Sequence, residues 1–353
     1  MDSTYPRLRA GLLSLALGVG SLTATAEAPV LRIYGWENFL DPALAAEFGK
    51  RHGVTVQQTF YDSDWERDLR LTATGGAGFD LVMVDSTRIP LYRSHGWLEE
   101  LGQRRVPGLA HMEQRWRKSA DGTATHAMPY AWGTLGLAYR SDLVSAPIDS
   151  WMALFKPSAE LCGKILVVDD AHELIAIALK ALGWSANTTD PKAYRQVEQL
   201  LADQHHCVAG YRNPGVDQHS DLVTGKITAS MAYSSDASQI RARNPNVRFI
   251  LPREGGLIWI DYFVVLRSSQ RKSLAFAFLE FLCDPKIAAR QARYNGAAIP
   301  DNHARLLLPP AMRDDAWTYP TQDRLRGFEM LETSPADITE LRNKVFATIV
   351  RPD

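Results

Sequence analysis

The chain has 353 residues, of which 46% are hydrophobic and 22% charged, and its formal net charge is −1. This length is too great for one hydrophobic core and predicts two lobes of about 150 residues each, within the composition range of globular proteins. The balanced charge gives no indication of a nucleic-acid partner or of attraction to an acidic membrane surface.

The first 28 residues have the pattern of a secretory signal peptide. Arg7 and Arg9 precede an apolar run at 11–22, and small-residue cleavage sites follow at 24–26 and 26–28. The run is too short to span a membrane. No cysteine lies near the cleavage site, so the sequence lacks a lipoprotein signal. We therefore expect a soluble mature protein that is exported across the inner membrane to the periplasm.

Strand and helix patterns then alternate along the chain, which predicts an α/β fold with largely parallel sheets. No flexible linker separates the two expected lobes, so the chain should cross between them more than once. The strands are predicted at 30–34, 54–61, 79–84, 164–168, 207–211, 227–233 and 257–266, and helices at 42–52, 65–74, 172–182 and 273–294.

Signatures of catalysis and of metal binding are missing from the sequence. It contains no HExxH, GxSxG or P-loop motif, and the glycine-rich loop at 75–78 precedes a strand rather than the helix that a phosphate site requires. The nine histidines are scattered, and His172 and the pair at 205–206 lack partners at metal-ligand spacing. We predict no enzyme activity, no cofactor and no metal.

The three cysteines allow one disulfide bond and one free thiol. Cys162 precedes the strand predicted at 164–168, and Cys207 begins a strand one strand–helix unit later. Successive parallel strands often lie side by side, about 4.8 Å apart, which is within reach of a disulfide. We predict a Cys162–Cys207 bond in the oxidising periplasm and a buried free thiol at Cys283. The alternative is that all three are reduced core residues.

Aromatic and acidic side chains recur where the predicted strands end or, in one case, on one face of a strand. In open α/β sheets ligands bind at the carboxyl ends of strands. Carboxylates pair with ammonium groups, and each aromatic face adds roughly 0.5–2 kcal/mol by cation–π contact. The pattern therefore indicates a cleft for an organic polycation. The residues are Trp36, Glu37, Phe39, Asp170, Glu173, Tyr233, Asp236, Trp259 and Asp261.

Structural explanations exist for several of these residues. Asp170-x-x-Glu173 is also a helix-capping signature, with Glu173 reaching back to the cap. Trp36 and Trp259 could be core aromatics, and Asp236 a loop acid. Together with Asp169, the five acids named above make six acids near four strands, and these would repel one another unless a cation lay between them, which favours the ligand interpretation. A site for an anionic solute would instead require a cleft rich in arginine and lysine.

Long segments of the chain resemble the bacterial periplasmic spermidine/putrescine-binding proteins, which serve ABC importers. The resemblance runs from about residue 31 to about residue 319. The segments that carry it are IYGWENFLDP (33–42), FDLVMVDST (79–87), MPYAWGTLGLAY (128–139), SWMALFKP (150–157), VDDAHELIAIALKALGWSANTTDP (168–191) and PREGGLIWID (252–261).

The resemblance implies a type II periplasmic-binding fold with a ligand cleft between two α/β lobes. Each lobe would be a mainly parallel sheet flanked by helices. After the signal peptide at 1–28, we expect lobe 1 to contain residues 29–136 and about 258–300. Lobe 2 would contain residues 137–257 and about 301–353.

The resemblance also implies roles for individual residues. Trp36 matches an aromatic of the ligand cleft, and Ser86 matches a polar residue there. Asp170 and Glu173 match acids that hold ammonium groups. The remaining matches are Tyr233, at a position that is usually Trp; Asp236, an acid of the putrescine-type branch; and Trp259 with Asp261, the aromatic and acid of the facing strand.

Three positions depart from the family pattern. Phe39 replaces a tyrosine, and Leu331 replaces a polar residue near the tail. Arg88 stands where an aromatic is usual, and its positive charge should oppose a polyamine. Asp85 and Glu37 are near enough in sequence to neutralise Arg88 by pairing with it.

The function implied by the resemblance is capture of putrescine, cadaverine, spermidine or a relative for delivery to an inner-membrane ABC permease. The alternative is a polyamine-sensing protein of the same fold that reports to a membrane receptor. We expect a monomer that binds no nucleic acid.

Overall fold

The computed structural model describes Met1 and residues 28–117 and 125–350. All but the two end residues of the predicted signal peptide lie outside this described part. Within it, the helices are too short or too polar to cross a membrane.

The described chain forms an α/β structure of ten strands and fourteen α-helices. The strands are β1 (Val30–Trp36), β2 (Thr55–Tyr61), β3 (Leu81–Asp85), β4 (Ala127–Arg140), β5 (Ile165–Val167), β6 (Val208–Tyr211), β7 (Ala229–Tyr233), β8 (Val247–Ile250), β9 (Leu257–Val265) and β10 (Glu329–Met330). The helices are α1 (Pro42–His52), α2 (Asp64–Ala73), α3 (Ile89–Ser94), α4 (Gly102–Arg105), α5 (Met152–Phe155), α6 (Ala171–Ala181), α7 (Pro191–Gln204), α8 (Asp221–Thr224), α9 (Ser234–Arg243), α10 (Lys272–Leu282), α11 (Pro285–Asn295), α12 (Asn302–Leu306), α13 (Pro310–Arg313) and α14 (Ala336–Val350).

The strands are joined in the order β2-β1-β3-β9-β4-β7-β5-β6, with β10 on β9 and β8 on β4. The groups β2-β1-β3 and β7-β5-β6 are parallel. Between them, β9 and β4 run antiparallel to their neighbours in the strand order. The α/β class is confirmed, but the prediction of largely parallel sheets applies only to the two outer groups.

Strand β4 connects the two halves of the sheet. Its residues 127–135 pair with β9, and residues 135–139 pair with β7. All fourteen residues are buried, so the strand has no alternation of polar and apolar side chains. A strand buried on both faces lacks the pattern that identifies a half-exposed strand, which is why β4 was missed as a strand in the sequence.

Separate hydrophobic clusters fill the two halves. Helices α5, α6, α7 and α14 pack on β5 and β7. Helices α1 and α10 pack on one face of the β1–β3–β9 group. Ala304 and Leu308 pack on its other face, with Tyr34 and Val84. The exact lobe boundaries stay a prediction.

One predicted helix, 273–294, is two helices in the structure. α10 ends at Leu282, and α11 begins at Pro285. Asp284 caps α11, because its carboxylate accepts hydrogen bonds from the backbone N–H groups of Lys286 and Ile287. Proline favours the first turn of a helix and disrupts a helix interior, so the chain turns at this point.

Cys162 and Cys207 form a disulfide bond, as the sequence predicted, with their Cα atoms 4.4 Å apart. The Gly163 N–H donates to the Cys207 carbonyl at 2.8 Å, so the segments leading into β5 and β6 lie side by side. Cys283 is a buried thiol, whose pKa is raised by burial. His206 lies close to both bonded sulfurs. Because those sulfurs are joined to each other, they are not free thiolates for a metal.

Candidate ligand-binding cleft

Several predicted site residues lie at the carboxyl ends of the parallel strands. Trp36 ends β1, Tyr233 ends β7, and Ser86 follows β3. Asp170 comes after β5 and immediately before α6. Asp261 instead lies inside β9, the antiparallel strand that joins the two halves.

Two carboxylates face each other across neighbouring strands. Asp85 is paired directly with Asp261 in the antiparallel ladder of β3 and β9. Burial raises the pKa of Asp261, and the charges of Asp64 and Asp85 raise it further. Among the described residues, none donates a hydrogen bond to the Asp261 side chain. Like charges in directly opposed positions destabilise a sheet. Asp85 is ion-paired with Arg67 at 3.3 Å, whereas no arginine or lysine in the described part of the chain forms an ion pair with Asp261.

Asp170 and Glu173 have different roles at the start of α6. The Asp170 carboxylate accepts a hydrogen bond from the Glu173 N–H at 2.8 Å, so it caps the helix. The Glu173 side chain does not complete a capping box; its carboxylate accepts from the Tyr233 hydroxyl at 2.6 Å. Burial and the charge of Asp170 raise the pKa of Glu173. The capping interpretation is thus correct for Asp170 and wrong for Glu173.

Aromatic rings line the region between these acids. The Trp259 ring lies 6.2 Å from that of Phe39 and 6.1 Å from that of Tyr233. Trp36 packs edge-on against Tyr61 at 4.4 Å. Phe39, Trp36, Tyr233 and Trp259 are each only partly buried, so they combine packing with an accessible face.

Asp236, in the first turn of α9, is another desolvated carboxylate. Burial raises its pKa to about 6, and a weak hydrogen bond from the Ser235 hydroxyl at 3.4 Å opposes this shift. Asp236 also raises the pKa of Tyr233, so the two side chains lie within electrostatic reach of each other.

Asp64, at the start of α2, is a cleft acid that sequence reasoning missed. Burial raises its pKa to about 7, despite an ion pair with Arg67 at 2.5 Å. Its charge in turn raises the pKa of Glu173 and of Asp261. In the sequence Asp64 is an ordinary acid in a first helical turn, and only the tertiary structure brings it to the other acids.

Arg88 is held by an ion pair with Asp68, with its Nε 2.9 Å from the Asp68 carboxylate. The predicted neutralisation is therefore correct in kind but names the wrong partner in Glu37, which is exposed. Of the two predicted neighbours, Asp85 does act on Arg88. Burial disfavours the charged guanidinium, but the negative charges of Asp85 and Asp68 outweigh this effect and raise the pKa of Arg88.

Leu331 and Ser86 lie outside this charge network. Leu331 is half-buried and packs against the hydrophobic cluster around α6. Ser86 is buried at the end of β3. Their predicted effects on the ligand stay predictions, as does that of the exposed Glu37.

Comparison with known proteins identifies relatives that match most of the chain. A spermidine/putrescine-binding periplasmic protein of Escherichia coli is 27% identical over 324 residues, which is 90% of each chain. A putrescine/agmatine-binding protein of Pseudomonas aeruginosa is 26% identical and covers 96% of this chain and 97% of its own. A norspermidine sensor of Vibrio cholerae is 28% identical, with coverages of 98% and 95%.

Solved structures share the fold. A chain from Listeria monocytogenes superposes with a TM-score of 0.85 at 26% identity and covers 92% of this chain and 100% of its own. The spermidine/putrescine ABC transporter substrate-binding protein of Streptococcus pneumoniae gives a TM-score of 0.78 at 24% identity, with coverages of 91% and 98%. The profile of the bacterial extracellular solute-binding proteins matches residues 43–318. The chain therefore belongs to the family of bacterial extracellular solute-binding proteins.

Proposed function

We propose that this protein binds a polyamine in its cleft within the periplasm and delivers it to an inner-membrane ABC importer. The observation that carries this proposal is a set of partly buried carboxylates without a basic partner. In the described part of the chain, no lysine, arginine or histidine hydrogen-bonds to Glu173, Asp236 or Asp261. We propose no catalytic role.

The electrostatics of these acids favour a cationic ligand. A buried carboxylate without a partner is costly, and burial raises the pKa of each of the three. An ammonium group would restore the ionised form and relieve the repulsion between Asp85 and Asp261. The rings of Trp36, Phe39, Tyr233 and Trp259 would cover the methylene chain of the ligand and add cation–π contacts.

The proposed ligand-binding residues come from both halves of the sheet. The first half contributes Trp36, Phe39, Asp64, Ser86, Trp259 and Asp261, with Glu37 and Arg88 at its edge. The second half contributes Asp170, Glu173, Tyr233 and Asp236. Binding between the halves would let the lobes close on the ligand.

The names of the relatives agree with this proposal. They include proteins that bind spermidine, putrescine, agmatine or cadaverine. The Vibrio cholerae norspermidine sensor supports a second candidate, in which the same cleft reports a polyamine to a membrane receptor.

Calorimetry on the chain without its signal peptide tests the ligand class. The panel is putrescine, cadaverine, agmatine, spermidine and norspermidine, with succinate as an anionic control. We expect at least one polyamine to bind in the nanomolar to low-micromolar range and succinate not to bind. If the whole polyamine panel produced neither heat nor a shift in melting temperature, the proposal would be wrong.

Uptake of a labelled polyamine distinguishes transport from sensing. Cells that lack this protein should take up less of the ligand identified by calorimetry, and a plasmid copy should restore uptake. Unchanged uptake, together with an altered polyamine response, would favour the receptor alternative.

A further inference from the structure

The Tyr233 hydroxyl is the hydrogen-bond donor that the protein provides to the Glu173 carboxylate. The hydroxyl oxygen lies 2.6 Å from Oε2 of Glu173, and among the described residues no other group donates to this carboxylate. The bond joins the end of β7 to the first turn of α6. Hydrogen bonds to an ionised carboxylate are short and roughly twice as strong as those between neutral groups. One oxygen of Glu173 is therefore held by the protein, and the other, Oε1, has no donor in the described part of the chain.

Contacts on two sides fix the direction in which Tyr233 presents its hydroxyl. The ring of Trp259 packs edge-on against the Tyr233 ring, with 6.1 Å between the ring centres and 83° between the ring planes. The backbone of Tyr233 is paired with Leu135 in the antiparallel ladder of β4 and β7. Because both the ring and the backbone are held, the hydroxyl can orient the more flexible side chain of Glu173.

The surroundings of Glu173 make such a donor necessary for the ionised form. Burial raises the pKa of Glu173, as do the charges of Asp170 on the same helix end, Asp64 on α2 and Asp85 on β3. The hydrogen bond from Tyr233 opposes these effects and lowers the pKa. Without the hydroxyl, the carboxylate would take up a proton more readily.

Resting on the proposed function, we propose that Tyr233 is a positioning residue, whose hydroxyl holds the Glu173 carboxylate so that its free oxygen, Oε1, accepts an ammonium group of the ligand. The role belongs to the hydroxyl and not to the aromatic ring. Tryptophan, the usual residue at this position in the family that the chain resembles, has no hydroxyl. The hydroxyl bond from this position to Glu173 is thus a feature of this chain.

Calorimetric titration with putrescine and spermidine over a range of pH tests the role of the hydroxyl. Tyr233→Phe removes the hydroxyl and keeps the ring. Tyr211→Phe is the matched control, because the Tyr211 hydroxyl also bonds to a side chain, at 3.1 Å from His205 Nδ1, but lies on β6 outside the cleft. Thermal melting establishes that each variant is folded.

We expect Tyr233→Phe to bind about tenfold more weakly than the wild type, since a hydrogen bond to a charged group is lost. The rise of affinity with pH should also move upward by about one pH unit, because Glu173 ionises at higher pH without its donor. Tyr211→Phe should match the wild type in both measurements. A folded Tyr233→Phe with the affinity and pH profile of the wild type would overturn the positioning role.

A double-mutant cycle with Glu173→Gln shows whether the hydroxyl acts through Glu173 or on the ligand itself. If it acts through the Glu173 carboxylate, Tyr233→Phe should weaken binding less than about twofold in the Glu173→Gln background. An equal loss in both backgrounds would mean that Tyr233 contacts the ligand independently, and positioning would be wrong. Binding of neither amine to the wild type would instead overturn the proposed function, and the positioning role with it.

Discussion

The carboxylate of Asp261 lies opposite that of Asp85 and is partly buried, with no hydrogen-bond donor among the described residues. Its negative charge therefore destabilises the free protein. The same charge is what an ammonium ligand would bind. Removing the charge of Asp261 should therefore raise the stability of the free protein and lower its affinity for the ligand.

Replacing Asp261 with asparagine tests this opposition. Asp261→Asn keeps the side-chain shape but removes the charge, so polyamine affinity should fall at least about tenfold, because the ligand ammonium loses its partner. The melting temperature without ligand should rise. Asp62→Asn is the control, since Asp62 is exposed near the start of α2. Equal affinities of Asp261→Asn and wild type would show that Asp261 does not contact the ligand.

The raised pKa values predict how binding depends on pH. The pKa is about 6 for Asp236 and about 7 for Asp64 in the folded protein. A bound ammonium requires ionised carboxylates, so affinity should increase as the pH rises through about 6 to about 7, and binding should release protons. Calorimetry in buffers with different ionisation enthalpies measures this release. An affinity that is the same across this interval would contradict the prediction.

The same shifts have the opposite effect on stability without ligand. For Asp236 and Asp64 the pKa is higher in the folded state than the ordinary value of 3.8, so the folded state binds more protons between these values. Their contribution to the free energy of unfolding should therefore decrease as the pH rises from about 4 to about 7. Replacing both with asparagine should remove this part of the pH dependence in denaturant titrations. If neither carboxylate were desolvated in solution, the double variant and the wild type would show the same pH dependence.

Among the secondary-structure elements, α6 shows how one helix end can have two functions. Asp170 caps the helix, and Glu173, one turn later, is bonded to Tyr233 across the sheet. The cap holds the first turn in place, and Glu173 is positioned by that turn. Local helix chemistry therefore positions a predicted ligand-binding residue.

The disulfide is the covalent link between the segments that lead into β5 and β6. Thiol titration of the unfolded, unreduced protein should detect one free thiol, from Cys283. The Cys162→Ser/Cys207→Ser variant should lose roughly 4 kcal/mol of unfolding free energy, because the bond closes a loop of about 45 residues in the unfolded chain. Cys283→Ser, with the bond intact, should abolish the thiol signal. Three free thiols in the wild type would rule out the disulfide in solution.

At the scale of the whole molecule, the ligand should stabilise both halves together by mass action. At about 100 times its dissociation constant, it adds about 2.7 kcal/mol of unfolding free energy, which corresponds to a rise of about 4 °C in melting temperature. For Asp261→Asn with tenfold weaker binding, the same ligand concentration adds only about 1.4 kcal/mol. Differential scanning calorimetry measures both shifts. Identical shifts in the two proteins would indicate stabilisation that does not depend on the cleft.

Local patterns in the sequence located seven of the ten strands and the helices α1, α2 and α6 of the described chain. α1 has the predicted bounds, because Asp41 and Pro42 begin the helix and Gly53 ends it in a left-handed conformation. β4 was missed because burial on both faces removes the alternation that identifies a strand. The break at Pro285 was also missed, although proline was visible in the sequence, because the apolar pattern continues on both sides of it.

The sequence by itself also indicated the chemistry of the cleft. Acids and aromatics at strand ends are a local feature, and the order of the elements places these strand ends next to one another. The tertiary structure alone decided which charges meet. Asp64 joins the acids of both halves, and Arg88 pairs with Asp68 instead of Glu37. Hydrophobic periodicity specifies which face of an element is buried. Electrostatic pairing depends on distances of a few ångströms between separate elements, and these are set only when the elements pack together.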